Sequence, residues 1–440
     1  MKKSDAPVAV IGGGYAGMAA AVELAVAGRP VHVYEAGPVL GGRARRVTLD
    51  GPDGNPIELD NGQHMLVGAY RELLRLARLA GATEADTLVR LGLDLDVYDG
   101  PQRTFRLACP HLPAPWHSLF GLLRADGLTW AERWAAIRTM TMARLQGWRL
   151  AQDMTVAQWL ARERQPDKLT RCLWEPLALA ALNTPIANAS AQVLLNVLRD
   201  SLAADRAASD FLLPRVDLSA VFPDVAGRYV QSRGGEVHVG TMVRKVEKRA
   251  DGWWLDRSEQ AYGQVIIALP PHRLDMLADG VDVLAPIVQA MSSWTYQPIY
   301  TVYLGYPTGT KLPKPMLGLV GTSTQWLFDR GVLCGQDGVM SAIISAEGPH
   351  TAMNQAELAQ HVVREAAAAC PALPAPIWHK VIAEKRATFA CTPGLQRPAN
   401  GTTDPTLWIA GDYTAGDYPA TLEGAARSGV AAARGVLAGG

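Results

Sequence analysis

Apolar positions follow three rhythms along the chain. Continuous apolar runs at residues 8–11 and 31–34, separated by a stretch rich in Ala, Val and Leu over residues 16–27, predict strand, helix and strand joined by a glycine turn. Past a basic, Gly-rich stretch, Asp50, Gly51, Pro52, Asp53 and Gly54 read as a turn between two short strands, the second over residues 57–60. Leu73, Leu74, Leu76, Ala77 and Leu79 alternate with Arg and Glu at helical period. From about residue 110 to 215 the rhythm is helical throughout, with Leu194, Leu198 and Leu202 on one face, and predicts a helical insertion. Period-two runs then return at 236–239, 243–249, 253–256 and 264–269, with an Asp251-Gly252 turn, and predict a β-meander. Strands at 299–304, 325–328, 339–345 and 381–389, a helix at 356–369 and a closing Ala-rich helix at 420–437 complete the reading. The chain shows no internal repeat or low-complexity segment.

A chain of 440 residues exceeds what one hydrophobic core organises. The expected fold is α/β in two domains: a Rossmann-like nucleotide domain with the meander, and a substrate domain of mixed sheet and helical insertion. Residues 1–80, 216–280 and 390–440 are expected to form the first, residues 81–215 and 281–389 the second. Lys plus Arg and Asp plus Glu both number 42, so no global field draws the protein to nucleic acid. Five cysteines (Cys109, Cys172, Cys334, Cys370, Cys391), odd in number and without CxxC spacing, read as reduced thiols of a cytoplasmic protein. The basic start Met1-Lys2-Lys3 is followed by an apolar run that stops at Gly12, too short for a secretion signal. No metal-ligand set is expected.

The turn carries the first chemistry. Gly12-x-Gly14-x-x-Gly17 follows a strand and opens a helix, the setting in which such glycines admit a pyrophosphate to backbone N–H groups. Glu35, ending the second strand, is placed to accept from ribose hydroxyls. FAD and NAD both fit that far. Gly41-Gly42-Arg43 favours FAD, with Arg43 expected to neutralise the pyrophosphate. At the other end of the chain, Gly411 and Asp412 would meet ribityl hydroxyls, and the helix behind Thr421 and Leu422 would aim its positive end at the flavin. Gly62 and Val243 complete the expected FAD contacts.

These segments, with Asp60-Asn61-Gly62-Gln63-His64 and the tail through Gly429, resemble the flavin amine oxidase and phytoene desaturase superfamily. Leu59 through Leu66, Trp174-Glu175-Pro176-Leu177, Leu182-Asn183-Thr184-Pro185 and Leu198-Arg199-Asp200 are similar to its squalene-associated branch, the hydroxysqualene dehydroxylases, over essentially the whole chain. The resemblance implies noncovalent FAD and reduction of hydroxysqualene to squalene, with an unidentified reductant for the flavin. A hydroxyl leaves poorly, so a proton donor is required. His64 is the first candidate and Glu175 the second; Gln63 would orient the hydroxyl or the flavin edge. Each has a plain structural role as its alternative: backbone bonding for His64, a cap or ion pair for Glu175, a turn for Gln63. Tyr413 and Tyr418 give no unambiguous aromatic cage, which disfavours an amine substrate. A polyprenoid desaturase, an amine oxidase and a non-enzymatic prenyl-lipid escort protein remain as alternatives. Pro115 to Arg124, followed by Trp130, Trp134 and Arg138, mixes aromatic, aliphatic and basic residues as an interfacial helix does, or equally faces a core. Peripheral contact with the cytoplasmic face of the inner membrane is the corresponding expectation.

Overall fold

The computed structural model describes residues 6–51, 54–278 and 280–439. The charged start Met1-Lys2-Lys3 and the Pro52-Asp53 centre of the predicted turn lie outside them; that turn's two strands form as Arg46–Asp50 and Pro56–Asp60.

A five-stranded sheet, entirely parallel, holds the N-terminal unit. Its strand order is Glu236–His238, Val31–Tyr34, Val8–Ile11, Gln264–Ile267 and Leu407–Ile409, so segments far apart in sequence lie side by side. The strands Val8–Ile11 and Val31–Tyr34 are buried throughout, which is why they are apolar at every position but His32. On one face the first helix, Tyr15–Val26, crosses the last, Leu422–Ala438. Gly429 permits that crossing: a Cβ there would sit 2.1 Å from the Ala16 carbonyl oxygen.

The meander is not one unit. Its first and last strands join the parallel sheet, and only Val246–Arg249 with Gly252–Leu255 form a hairpin, lying against the sheet's opposite face through Trp253 and Tyr262. Pattern alone could not separate these cases, because both partners of a buried strand are chosen by tertiary contact.

A second, seven-stranded sheet runs Trp378–Phe389, Tyr296–Gly305, Val339–Ser345, Trp326–Asp329, Met316–Leu319, Asp94–Asp99 and Gln102–Ala108. It is antiparallel except where Met316–Leu319 lies parallel to Asp94–Asp99. The helix Gln355–Ala369, begun by a reciprocal Asn354/Glu357 cap, covers one face with Leu358, Ala359 and Val362.

The expected insertion is helical with one exception. Helices Trp116–Leu123, Trp130–Leu145, Val156–Arg162, Glu175–Leu182 and Ala191–Leu198 fill it, but Phe211–Pro214 is a strand. It pairs with Leu66–Val67 and Leu88–Leu91, bridging the boundaries expected at residues 80 and 215. Two wide π-helical turns, Thr170–Trp174 and Arg199–Ala203, interrupt the insertion; such turns recur at functional sites. Among the described residues, all five cysteines are free thiols and no helix is long and apolar enough to cross a membrane.

Candidate functional site

The glycine turn has the geometry its sequence suggests. A Cβ on Gly17 would lie 1.9 Å from the Gly12 carbonyl oxygen, so only glycine lets the helix start this close to the strand. At Gly14 the nearest atom a Cβ would meet is the Gly42 Cα, 3.8 Å away, leaving room in front of the helix. That helix has no side-chain cap and no acid in its first turn, so its leading N–H groups are available to an anion. Glu35 is fixed beside it: Gly13 N–H donates to Oε2 and Gly37 N–H to Oε1, both at 2.7 Å. Each oxygen keeps a lone pair for a hydroxyl. Thr241 N–H donates to the Glu35 carbonyl at 2.8 Å, which brings buried Val243 to the same end of the sheet.

Arg43 is placed differently from expectation. Its guanidinium reaches across to the tail, where Nη2 donates to Asp412 Oδ1 at 2.6 Å and Nη1 to the Ala387 carbonyl at 2.5 Å. Charge attraction to a nearly buried carboxylate directs the side chain there, and the glycine turn is left to its backbone N–H groups. Asp412 is correspondingly not free; one of its oxygens carries the arginine. Gly411 N–H donates to Ser428 Oγ at 2.9 Å, tying the Gly411-Asp412 turn to the last helix. Thr421 caps that helix by accepting from Gly424 N–H at 2.9 Å, and Leu422 is its first residue.

The polar atoms around Arg43 and Asp412 provide a test for a flavin. His272 Nδ1 and the Tyr413 and Tyr418 hydroxyls are buried without hydrogen-bond partners among the described residues, and burial of such groups costs free energy unless something bonds them. Tyr413 and His272 lie within electrostatic reach of Asp412 and Arg43 respectively. An open cradle at a helix N-terminus, an acid at the strand end and orphaned donors and acceptors further along fit an extended dinucleotide such as FAD.

The segment Gly62-Gln63-His64 sits between the two sheets. Arg330 Nη1 donates to Gln63 Oε1 at 2.7 Å, Ser341 Oγ donates to the same oxygen at 3.3 Å, and Gln63 Nε2 donates to the His64 carbonyl at 3.3 Å. The carboxamide is therefore engaged at both ends and holds the loop. His64 Nδ1 bonds the Gly62 carbonyl at 2.7 Å, which requires the proton on Nδ1 and leaves Nε2 as an acceptor. Burial pushes this imidazole's pKa down, partly offset by the Gly62 bond. A neutral ring with its proton committed to backbone is a poor acid.

Glu175 has the opposite disposition. It begins the helix that follows the Thr170–Trp174 π-turn, is half-buried, and burial raises its pKa, with Arg171 pulling weakly the other way. Its neighbours Leu173, Trp174 and Leu177 line an apolar cavity of about 150 Å³ within the insertion, partly open to solvent. Leu119, Leu122, Ile137, Met140, Leu198 and Leu202 complete an almost wholly aliphatic wall, and both π-turns contribute to it.

Sequence reading missed Arg330 and the role of Asp60. Arg330 is 5 % exposed and faces Asp60, 1 % exposed, at 3.6 Å; Leu218 N–H donates to Asp60 Oδ1 at 2.7 Å. Burial lifts the Asp60 carboxyl to about 6 against the pull of Arg330. No motif surrounds Arg330; a charged residue directly after a buried strand was the one available signal.

Known proteins match along nearly the whole chain. The profile of a family described as flavin containing amine oxidoreductase matches residues 15–437. A protein of Sinorhizobium fredii named hydroxysqualene dehydroxylase is 30 % identical, the match covering 97 % of both chains. One of the same name from Rhodopseudomonas palustris is 30 % identical over 98 % of this chain and 99 % of its own. The solved structure of cyclohexylamine oxidase from Brevibacterium oxydans superposes with a TM-score of 0.70 at 17 % identity, covering 99 % of each chain, and so shares the fold. With a dinucleotide turn, a distant acid and a tail loop assembled as above, the chain belongs to the flavin containing amine oxidoreductase family.

Proposed function

We propose that the protein reductively removes the hydroxyl of hydroxysqualene, giving squalene and water. It is an FAD-dependent oxidoreductase. The observation that carries the substrate is the full-length likeness, at 30 % identity, to relatives named hydroxysqualene dehydroxylase. The aliphatic cavity supports it, since a C30 hydrocarbon needs apolar walls and offers them one polar group. Bound in its reduced form, the flavin supplies the hydride.

The chain's own part is positioning and proton supply. Gly12, Gly14, Gly17 and Gly42 admit the cofactor's pyrophosphate, Glu35 and Val243 its adenosine half. Gly62, Gly411, Asp412, Thr421 and Leu422 take the remainder, with Arg43 holding Asp412. Glu175, whose carboxyl pKa burial raises, donates to the departing hydroxyl, which leaves as water. His64, its Nδ1 proton on the Gly62 carbonyl, steadies the Gly62-Gln63-His64 loop and offers Nε2 as an acceptor. The apolar lining of the cavity leaves few groups to hold water beside the carbon that has lost its oxygen. These roles suit a cofactor domain of residues 1–80, 216–280 and 390–440 and a substrate domain of 81–215 and 281–389, joined by the small sheet of Leu66–Val67, Phe211–Pro214 and Leu88–Leu91.

The substrate's route is from lipid. Helices Trp116–Leu123 and Trp130–Leu145 line the cavity with one face and expose Trp116, Phe120, Trp130 and Trp134 on another, at 54, 38, 64 and 60 %. Arg124 and Arg133 stack over Phe120 and Trp130. Large exposed aromatics beside bases suit a peripheral seat on the cytoplasmic membrane surface.

Anaerobic incubation of the chemically reduced protein with hydroxysqualene tests the reading. Squalene by mass spectrometry together with reoxidation of the flavin is expected; no squalene and a flavin that stays reduced would overturn it. The physiological electron donor is replaced in this assay by the chemical reductant.

A further inference from the structure

At the edge of the parallel sheet, two strands bring three metal-binding side chains together. Glu236 stands opposite His32 in the register and His238 opposite Tyr34, so all four project from one face. Glu236 Oε2 lies 3.6 Å from His32 Nδ1 and 2.9 Å from His238 Nε2. The three donor atoms fall within 4.8 Å of one another. Bonds of a tetrahedral zinc ion set its donors roughly 3.3 Å apart. Small rotations of the two less buried side chains, Glu236 and His238, close the difference.

His32 is the anchor. It is 6 % exposed, which fixes its ring in place between the sheet and Tyr262. The Gln260 carboxamide nitrogen, which can only donate, approaches Nδ1 at 3.2 Å, so the lone pair is on the nitrogen that faces the cluster. The Tyr262 hydroxyl is 3.1 Å from the same atom but also 2.6 Å from the Tyr34 hydroxyl. Gln260 is exposed and Tyr262 keeps Tyr34, so both can yield Nδ1 to a cation without being stranded. His238 stacks on Tyr34 at 4.8 Å between centroids and 19° between planes, which limits its ring to a narrow set of orientations.

We propose that His32, Glu236 and His238 bind one divalent transition ion of the zinc class, with water completing its coordination. Two imidazoles and one carboxylate suit such ions better than magnesium or calcium, which take oxygen ligands. The ion would clamp the edge strand to its neighbour. That strand also brackets Glu35, whose N–H donates to the His238 carbonyl at 2.9 Å. The ligands lie on two strands, with His32 separated from Glu236 by 204 residues, so no local spacing announces them.

Chelator-treated, flavin-loaded protein titrated calorimetrically with zinc chloride tests the site. One equivalent is expected in the wild type, at least tenfold weaker in Glu236→Gln and in His238→Ala, with flavin content unchanged in both. Zinc should raise the melting temperature of the wild type more than that of either variant. Absence of saturable uptake, or equal affinity in all three proteins as binding by the free thiols would give, overturns the proposal.

Discussion

Arg43 Nη2 donates to Asp412 Oδ1 at 2.6 Å, joining side chains from opposite ends of the chain. The carboxylate is 8 % and the guanidinium 33 % exposed, so the pair is screened on one side only. Asp412→Ala leaves a partly buried arginine without its partner, at a cost of about 1–3 kcal/mol. Flavin affinity should fall at least tenfold with it. Absorbance of bound flavin per protein and the melting temperature read the two effects. A variant unchanged in both would show that the pair does not hold the tail loop.

Proton supply is assigned to Glu175. Glu175→Gln should lower squalene formation by roughly 10²-fold or more while flavin content stays constant. His64→Gln should cost less, because Nε2 of the wild-type ring only accepts. Since the donor acts in its protonated form, the wild-type rate should fall as pH rises through the raised carboxyl pKa. Full turnover by Glu175→Gln would remove the assignment.

Arg330 supports Gln63 and faces Asp60 from within the core. Arg330→Met strips both of a buried partner and should destabilise by about 3–5 kcal/mol. Urea unfolding measures it. If Asp60→Asn in the same background recovers none of the loss, the Asp60–Arg330 pairing is not where the energy resides.

Asp60 makes stability pH-dependent. Its folded pKa, about 6, lies above the ordinary 3.8, so between these values the folded state retains a proton that the unfolded state has released. Stability therefore falls as pH rises through this window, by about 3 kcal/mol at 1.36 kcal/mol per unit. Asp60→Asn has no such titration and should show a flatter melting-temperature profile from pH 4 to 6. Parallel profiles for the two proteins would refute the sign.

Trp130 and Trp134 are too exposed to support the core. Replacing both with Glu should leave the melting temperature within about 2 °C, consistent with surface substitutions of under ~0.5 kcal/mol. Flotation with anionic lipid vesicles should drop sharply, while turnover of detergent-solubilised substrate persists. Unaltered flotation would move the membrane contact elsewhere.

Much of the cofactor half was legible in the residues. Val8–Ile11, the Gly12-Gly14-Gly17 turn, Val31–Tyr34 and Glu35 announced themselves because the unit is local: its contacts close within a short loop, and its glycines meet backbone constraints that no other residue satisfies. The strands at Phe211–Pro214 and Met316–Leu319 escaped, being short apolar runs without alternation whose partners lie far along the chain. The meander was misjudged for the same reason.

Side-chain direction was decided by tertiary structure alone. The sequence placed Arg43, Asp412, Gln63 and His64 near a flavin, and the family they imply is the one to which the chain belongs. It could not show that Arg43 turns to Asp412, that Arg330 fixes Gln63, or that His64 gives its proton to Gly62. Backbone conformation answers to neighbouring residues, whereas a long polar side chain goes to whichever opposite charge or open acceptor the completed fold brings within reach.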